Sequence, residues 1–429
     1  LVMDGAALVR GLDVPSNTTI ECQTKDCGFF LASGANRSIV QNANLDFKTI
    51  RDRNITLLGG TYNNNCLGQE HHVPSSFAPE VFEETHWVMA MEFYGVEYLT
   101  LRDVTIRNQR TFAMLLANWF RVTMEDITIE LPENMYAQNQ DGIHFWGPGR
   151  FLNIHNIMGS SGDDFIALAP DEHDQVSDIT DVFIDGVQLN DADQGIRMLS
   201  RGTGRLDRVY VRNVTGTFKS FGFYINAWFP GPGGNFGSIT LENIDLRQTT
   251  HKYPYTEPFL FRLGGNFDTI TLRNVSHHTP AHPLRLIDLG VPFYTPSDDK
   301  VGEVSRFGSV ILDGWHIYEQ ADQPEPMDYI RVFCPVDNLI VRNSQVVRKA
   351  VPADQGSLIQ TTEHAAIGCL RLSGLTLEGL DKLVDHQAGS IEKLYLNDVV
   401  SKGSTQPLVA GKAPIGEVQA NAVWGAEVR

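Results

Sequence analysis

A short alternating pattern recurs along the chain, and no other feature limits the possible folds as strongly. Each copy reads apolar-x-apolar-x-(Asn/Asp/Gly)-apolar-x-apolar, as in Leu99–Ile106. The central polar residue falls at positions 59, 103, 126, 156, 186, 213, 243, 274, 314, 343, 374 and 398. From 103 to 398 the pattern advances 295 residues in ten steps, or 29.5 residues per step. A fixed period of this size is typical of stacked repeat architectures.

The residue types inside each copy predict which repeat architecture forms. Strict alternation indicates short strands, and Asn, Asp or Gly at the centre tolerates the left-handed backbone of a corner. A further short strand precedes most copies, as at Asp164–Leu168 and Phe259–Leu263. Three strands per turn predict an all-β chain folded as a right-handed parallel β-helix of about a dozen turns. A βαβ fold is disfavoured because no amphipathic helical stretch separates the strands, and a propeller needs four antiparallel strands per repeat.

The repeat predicts a single domain over residues 1–429, with a truncated N-terminal turn and long loops at about 63–86 and 290–306. Five cysteines are too few and too scattered for a disulfide framework or a zinc site. Free thiols are favoured over a disulfide between Cys22 and Cys27.

Charge excludes several classes of partner. The chain has 34 Lys and Arg against 52 Asp and Glu, a formal net charge of −18. Nucleic acids and anionic membrane surfaces both require clustered cations, so neither is an expected partner. No apolar run approaches the roughly 20 residues that span a bilayer.

The sequence contains no nucleophile elbow, P-loop or dinucleotide fingerprint. We expect no cofactor and no metal, and the sequence indicates no oligomeric state.

Three acidic residues stand at the start of equivalent strands on neighbouring turns. Asp141 and Asp164 are 23 residues apart, one short turn, and Asp163 precedes Asp164 directly. Stacked turns lie about 4.8 Å apart, so we expect the three carboxylates to converge. Crowded carboxylates raise at least one pKa, which supplies the acid and base that glycosidic cleavage needs. The alternatives are turn-capping roles or a structural calcium site.

The residues around these acids resemble those of the polygalacturonase-type glycoside hydrolases. Asn139-Gln-Asp141-Gly-Ile is similar to their N-x-D-G motif, and Gly162-Asp-Asp-Phe-Ile-Ala167 is similar to their G-D-D motif. The resemblance covers roughly Ser16–Ile244. It implies an inverting glycosidase of α-type links in which Asp163 is the general acid and Asp141 and Asp164 activate water. The spacing of one turn lies nearer the carboxylate separation of retaining enzymes, so inversion depends on the resemblance alone.

The chain departs from this family at two motifs. Gln194 stands where the family has the histidine of its G-H-G motif, and Tyr224 and Asn226 replace the Arg and Lys of its R-I-K motif. In the family those bases engage the sugar carboxylate and the scissile region. We therefore expect a substrate other than plain polygalacturonate: a neutral sugar, or a charged sugar bound by other cations.

Further side chains are candidates for substrate binding. Arg197 and Arg201 are candidate cations, although Arg197 also fits an ion pair with an acidic neighbour. Trp146 fits either sugar stacking or packing within the coil. The predicted substrate-binding residues are Asn139, His144, Trp146, Gln194, Arg197, Arg201, Tyr224, Asn226 and Trp228. The acidic run 171–174 fits a rim contact or a loose metal site, and a solvated loop is favoured.

The leading hypothesis is a glycoside hydrolase that acts on a polysaccharide or oligosaccharide outside the cytoplasm, secreted, periplasmic or on the cell surface. A β-helical polysaccharide lyase or glycan transferase is one alternative. A glycan-binding spike or adhesin without catalysis is the other.

Overall fold

The structure is a computed structural model of the chain. It describes residues 1–69, 88–132, 139–174, 176–227, 233–250, 257–279, 285–290, 305–319, 327–348, 356–404 and 407–424. Two compact units make up the chain: Leu1–Leu199 with Thr215–Lys219, and Ser200–Val214 with Ser220–Arg429. A single domain over residues 1–429 stays a prediction.

The first unit consists of short strands at its start and long, cornered strands further on. Its strands are β1 (Val2–Met3), β2 (Ala6–Val9), β3 (Leu12–Val14), β4 (Thr18–Cys22), β5 (Gly28–Leu31), β6 (Val40–Asn42), β7 (Asp52–Leu58), β8 (Thr61–Asn63), β9 (Met91–Arg102), β10 (Thr105–Arg107), β11 (Met114–Glu130), β12 (Ile143–Gly159), β13 (Asp164–Ala169) and β14 (Ile179–Leu199). One 3-10 helix, Cys66–Gly68, follows β8.

The second unit continues with strands of the same kind. Its strands are β15 (Leu206–Asn226, of which residues 215–219 belong to the first unit), β16 (Asn235–Gln248), β17 (Phe259–Leu263), β18 (Asn266–Thr279), β19 (Arg285–Leu289), β20 (Arg306–Glu319), β21 (Ile330–Val332), β22 (Pro335–Arg348), β23 (Ser357–Thr361), β24 (Ala366–Glu378), β25 (Lys382–Asp385), β26 (Ser390–Lys402), β27 (Val409–Ala410) and β28 (Ile415–Trp424).

The strands pair in parallel with the strand one turn earlier and the strand one turn later. In the first unit, β11 lies between β9 and β12, with Met114 opposite Met91 on one side and Ile143 on the other. In the second unit, β20 lies between β18 and β22 in the same way. Parallel neighbours one turn apart define a parallel β-helix, so the predicted fold class is confirmed.

Corners form where the repeat predicts them. All twelve central positions of the repeat have a left-handed backbone, with φ between 51° and 80°. Only Gly, Asn and Asp reach this region at little cost. Because the chain bends at these corners without losing its ladder of hydrogen bonds, β11 and β12 each run for 17 residues through more than one face. The short strands that the sequence predicts are therefore segments of longer ones.

Alternate side chains point into each coil and stack on their equivalents in the next turn. Val122, Leu152 and Val182 lie opposite one another on three turns and are at most 2% exposed. In the second unit a ring stack has centroids 4.5 Å apart between Phe236 and Phe267 and 4.7 Å apart between Phe267 and Phe307. Burial of each such side chain stabilises the fold by roughly 1.5–3 kcal/mol.

Two predicted features fall largely outside the described residues. Of the loop predicted at about 63–86, residues 70–86 lie outside, and of the loop at 290–306, residues 291–304 do.

Candidate active site

Asp141 and Asp164 stand at the same point of neighbouring turns. The Gly142 amide donates a hydrogen bond to the Asp164 carbonyl at 2.8 Å, and Ile143 of β12 lies opposite Ile166 of β13. Counting back two residues along each strand puts Asp141 beside Asp164. The structure therefore brings the predicted acids together in the first unit.

The two acids are buried, whereas Asp163 is half-buried. Asp141 is 2% exposed and Asp164 is 8% exposed. The Oδ1 atom of each is buried without a hydrogen-bond partner among the described residues. Two acceptor oxygens of this kind on adjacent turns suit a water molecule or a shared proton.

Burial and crowding set the protonation of this pair. Burial raises the pKa of Asp164 well above its usual range, and the negative charges of Asp163 and Asp141 raise it further, against the opposing charges of Arg197 and His144. Burial also raises the pKa of Asp141, but a hydrogen bond from His144 opposes that rise. Of the two carboxyls, Asp164 is therefore the one that holds a proton more strongly.

His144 lies between two carboxylates. Its Nδ1 is 2.8 Å from Asp141 Oδ2, and its Nε2 is 2.7 Å from Glu172 Oε2. Phe112 stacks on its ring, with centroids 4.9 Å apart. Burial alone lowers the pKa of His144, but Glu172 and Asp141 outweigh burial and raise the pKa to about 10. The ring is therefore an imidazolium at neutral pH.

Trp146 is anchored by the same acidic residue. Its indole nitrogen donates to Glu172 Oε2 at 2.8 Å. One face of the indole stacks on His173, with centroids 5.1 Å apart, and His173 also stacks on Phe47 at 4.1 Å. The half-buried indole thus belongs to an aromatic group at the edge of the site, and its role in substrate binding stays a prediction.

Gln194 and Arg197 follow on the next turn, in β14. The Gln194 side-chain amide donates to Asp163 Oδ1 at 2.6 Å. Ala167 of β13 lies between His144 and Arg197 in the strand register, and its small side chain leaves room between them. Arg197 is 3% exposed, and its charge lowers the pKa of both Asp164 and Glu172. Its guanidinium is a buried counter-charge of the acidic cluster.

The remaining candidates divide into three groups. Asn139, half-buried with φ of 56°, forms the turn that precedes Asp141. Arg201, Tyr224 and Asn226 belong to the second unit, so their part in this site stays a prediction. Tyr224 there packs edge-on against Phe221 and Phe259. Trp228 lies outside the described residues.

Glu172 is the residue that sequence reasoning missed. The acidic run 171–174 was expected to be a solvated loop, but the Glu172 side chain is only 20% exposed and accepts two hydrogen bonds within the site. Burial alone raises the pKa of Glu172, but the charge and hydrogen bond of His144 outweigh it and lower the pKa below its usual range. The available signal was that His144 and Trp146 share one face of β12 and both carry ring N–H groups.

Two further observations concern ions and membranes. Within the described ranges, no group of three or more His, Cys, Asp or Glu side chains is arranged to hold a metal ion. In the same part of the chain, no helix is long and apolar enough to cross a membrane.

Comparison with known sequences names the class of protein. The family model for glycosyl hydrolases family 28 matches residues 18–254, which is 237 of the 429 residues. The chain is accordingly a glycosidase with the fold of a parallel β-helix. The chain belongs to glycosyl hydrolases family 28. No curated protein matches the chain in sequence.

Solved structures of similar fold come from several sources. A family 28 exopolygalacturonase of Yersinia enterocolitica is 11% identical, covers 96% of this chain and 71% of its own, and has a TM-score of 0.43. The N-terminal fragment of gene product 12 of bacteriophage phi29 is 10% identical, with coverages of 96% and 75% and a TM-score of 0.48. The catalytic domain of a GH87 α-1,3-glucanase is 12% identical, with coverages of 98% and 62% and a TM-score of 0.32.

Proposed function

We propose that this glycosidase hydrolyses α-type links of a neutral polysaccharide or oligosaccharide with inversion, using Asp141, Asp163 and Asp164. Asp163 is the general acid that protonates the leaving oxygen, because it is the carboxyl of the three that reaches the surface. Asp141 and Asp164 hold and activate the attacking water.

The observation that carries this proposal is the pair of buried, unpartnered Oδ1 atoms on Asp141 and Asp164. A buried acceptor without a partner costs about 1–3 kcal/mol, which a purely structural turn would avoid with Asn or Ser. With Asp164 protonated and Asp141 ionised, the pair retains one negative charge, so it still serves as a base toward water. The third carboxyl, Asp163, adjoins this pair and completes an acid and base set.

The electrostatics of the site favour a neutral sugar. Four carboxylates, those of Asp141, Asp163, Asp164 and Glu172, stand against the two cationic side chains His144 and Arg197. Both cations already serve these carboxylates: His144 bonds two of them, and Arg197 stabilises the charges of Asp164 and Glu172. A uronic acid would add a further negative charge to this site, so we expect uronates to bind poorly.

The test is a reducing-sugar assay across a panel of neutral α-glycans and polygalacturonate, with wild type beside the Asp163→Asn variant. We expect a neutral glycan to be cleaved, and the variant to lose about 10²–10⁴ in kcat, the usual contribution of a general acid. Asp103→Asn is the matched control, since Asp103 is an exposed corner residue where Asn is equally acceptable. Full activity in Asp163→Asn would refute the proposal.

The stereochemistry and the reaction type are tested separately. Proton NMR of the first-formed product identifies its anomer, and an inverted anomer is expected. A retained anomer would instead make one of the buried aspartates a nucleophile. An unsaturated, ultraviolet-absorbing product would identify a lyase.

A further inference from the structure

His144 makes two hydrogen bonds that a neutral imidazole cannot make together. A neutral ring has one N–H donor, whereas both nitrogens of His144 face carboxylate oxygens, at 2.8 Å and 2.7 Å. The Glu172 oxygen involved also accepts the Trp146 indole N–H, and a carboxylate that accepts two hydrogen bonds is stabilised in its ionised form. With both carboxylates ionised, both nitrogens of His144 must carry protons, and the ring is then a cation fixed between Glu172 and Asp141.

The charged groups around this ring come from four neighbouring segments. Asp141 precedes β12, which carries His144 itself, and Asp164 begins β13. Glu172 lies in the turn after β13, and Arg197 lies in β14. Phe112 covers the ring face. Of these groups only Glu172 and Asp141 bond to the imidazole, and Asp141 is already required for chemistry. Glu172 is thus the counter-charge of the imidazole that lies outside the proposed acid and base set.

We propose that Glu172 is a positioning residue that keeps His144 protonated, so that His144 holds Asp141 as the ionised base while Asp164 carries a proton. The catalytic consequence rests on the proposed function, whereas the charge state of His144 does not. One oxygen of Asp141, Oδ2, is occupied by His144, which leaves Oδ1 to orient the attacking water. Among the described residues, no cationic side chain donates a hydrogen bond to Asp164, so Asp164 is the better site for the proton.

The direct test is an NMR titration of His144 in ring-labelled protein, with its signals assigned by difference against a His144→Gln variant. In wild type we expect both ring nitrogens to stay protonated through pH 9. In Glu172→Gln we expect deprotonation to begin at least one pH unit lower, because the side chain keeps its shape and loses its charge. In Glu172→Asp, which retains a carboxylate, His144 should titrate closer to its wild-type pH.

The matched control is Glu363→Gln. Glu363 also lies beside a histidine, with His364 Nε2 at 3.3 Å, but both side chains are more than 70% exposed. We expect this variant to leave the titration of His144 unchanged. An unaltered titration of His144 in Glu172→Gln, or a neutral ring at pH 7 in wild type, would overturn the inference. If Glu172→Gln fails to fold, the wild-type titration and Glu172→Asp still decide the matter.

The kinetic readout separates positioning from general damage. The alkaline limb of kcat/KM should report loss of the His144 proton, which ends the hydrogen bond to Asp141, so in Glu172→Gln this limb should move to lower pH. A merely structural role would lower kcat/KM at all pH values and leave the limb in place. If Asp163→Asn were fully active while His144 titrated as expected, the proposed function would fail and the inference about His144 would stand.

Discussion

Asp141 and Asp164 are buried acids whose free carboxylate oxygens reduce the stability of the fold. Each Oδ1 is shielded from solvent without a hydrogen-bond partner among the described residues, and burial raises the pKa of both carboxyls. Strongly perturbed acids with a specific charged partner are typical of functional sites. If the proposed function is right, these acids lower the stability of the fold but are needed for activity. Substitutions here should therefore separate stability from catalysis.

At the residue scale we predict that Asp164→Asn stabilises the protein and inactivates it. A carboxyl with a raised pKa in the folded state stays protonated there while the unfolded chain ionises it near pH 4. Stability is therefore fully present at low pH and falls as the pH rises toward the folded-state pKa. Asn cannot ionise, so the variant does not lose stability as the pH rises. Its melting temperature should therefore exceed that of wild type at pH 7, and the difference should be smaller at pH 4. Its kcat should fall about 10²–10⁴-fold.

Calorimetry at the two pH values and a kcat measurement check this prediction. Asp103→Asn is again the control, because its exposed corner position should leave both melting temperature and kcat unchanged. A lower melting temperature for Asp164→Asn at pH 7 would mean that the buried carboxylate is ionised and bound by neighbours, contrary to the protonated state argued above.

The sequence could predict the placement of some residues of the site and not of others. The three aspartates were predictable because parallel strands one turn apart bring equivalent positions together. Glu172 was not, because its contact with His144 and Trp146 depends on the path of the turn after β13, and no register fixes that path. The same limit applies to Tyr224 and Asn226, because their position in the repeat does not determine what their side chains contact.

At the scale of the elements, corners carry a ladder of side-chain amides. Asn243 Nδ2 donates to Asn213 Oδ1 at 2.9 Å, and Asn274 Nδ2 donates to Asn243 Oδ1 at 3.0 Å. All three have left-handed backbones, and the next corner is Gly314, where an added Cβ would lie 2.8 Å from Asn274 Oδ1. The residue types at these corners follow from backbone geometry and from the space left by the turn below.

We predict that Asn243→Ala destabilises the second unit more than Asn243→Gly. Ala loses both amide hydrogen bonds and holds φ of 56° at a cost of about 1–2 kcal/mol, whereas Gly loses only the bonds. The expected difference between the two variants is therefore about 1–2 kcal/mol, measured by urea unfolding. Equal losses for both would show that the hydrogen bonds, and not the backbone conformation, set the choice of residue.

The asparagine ladder lies on the outside of the coil. Asn213, Asn243 and Asn274 are exposed at its corners. Period and residue type reveal that a corner forms, because few residues adopt a left-handed backbone. They do not reveal on which side of the coil the side chain leaves, since both orientations share the same spacing. The positions of the corners were thus predictable and the environment of their side chains was not.

At the scale of the whole molecule, the repeat reaches further than the family model. The model matches residues 18–254, whereas left-handed corners of the repeat continue to Asp398. The fold could therefore be predicted over a greater length than the activity. Stacked coils need only alternation and corners, both of which survive extensive substitution. In the proposed function, substrate choice depends on single side chains such as Gln194, so the repeat carries no information about the sugar.

The overall charge leads to a last prediction, about salt. With a net charge of −18 and an acidic site, the protein should repel polygalacturonate, which carries a carboxylate on each sugar. Repulsion between exposed charges is screened beyond about 10 Å at 0.1 M salt. Polygalacturonate binding should therefore be weakest at low salt and strengthen as salt rises. KM for a neutral α-glycan should stay constant over the same range, because no charged group of the substrate is involved.

Affinity electrophoresis with polygalacturonate and KM measurements with the neutral glycan, from about 0.02 M to about 0.5 M salt, test these two expectations. Tight polygalacturonate binding that weakens with salt would contradict the proposed neutral substrate, since it would require cations that engage the uronate directly.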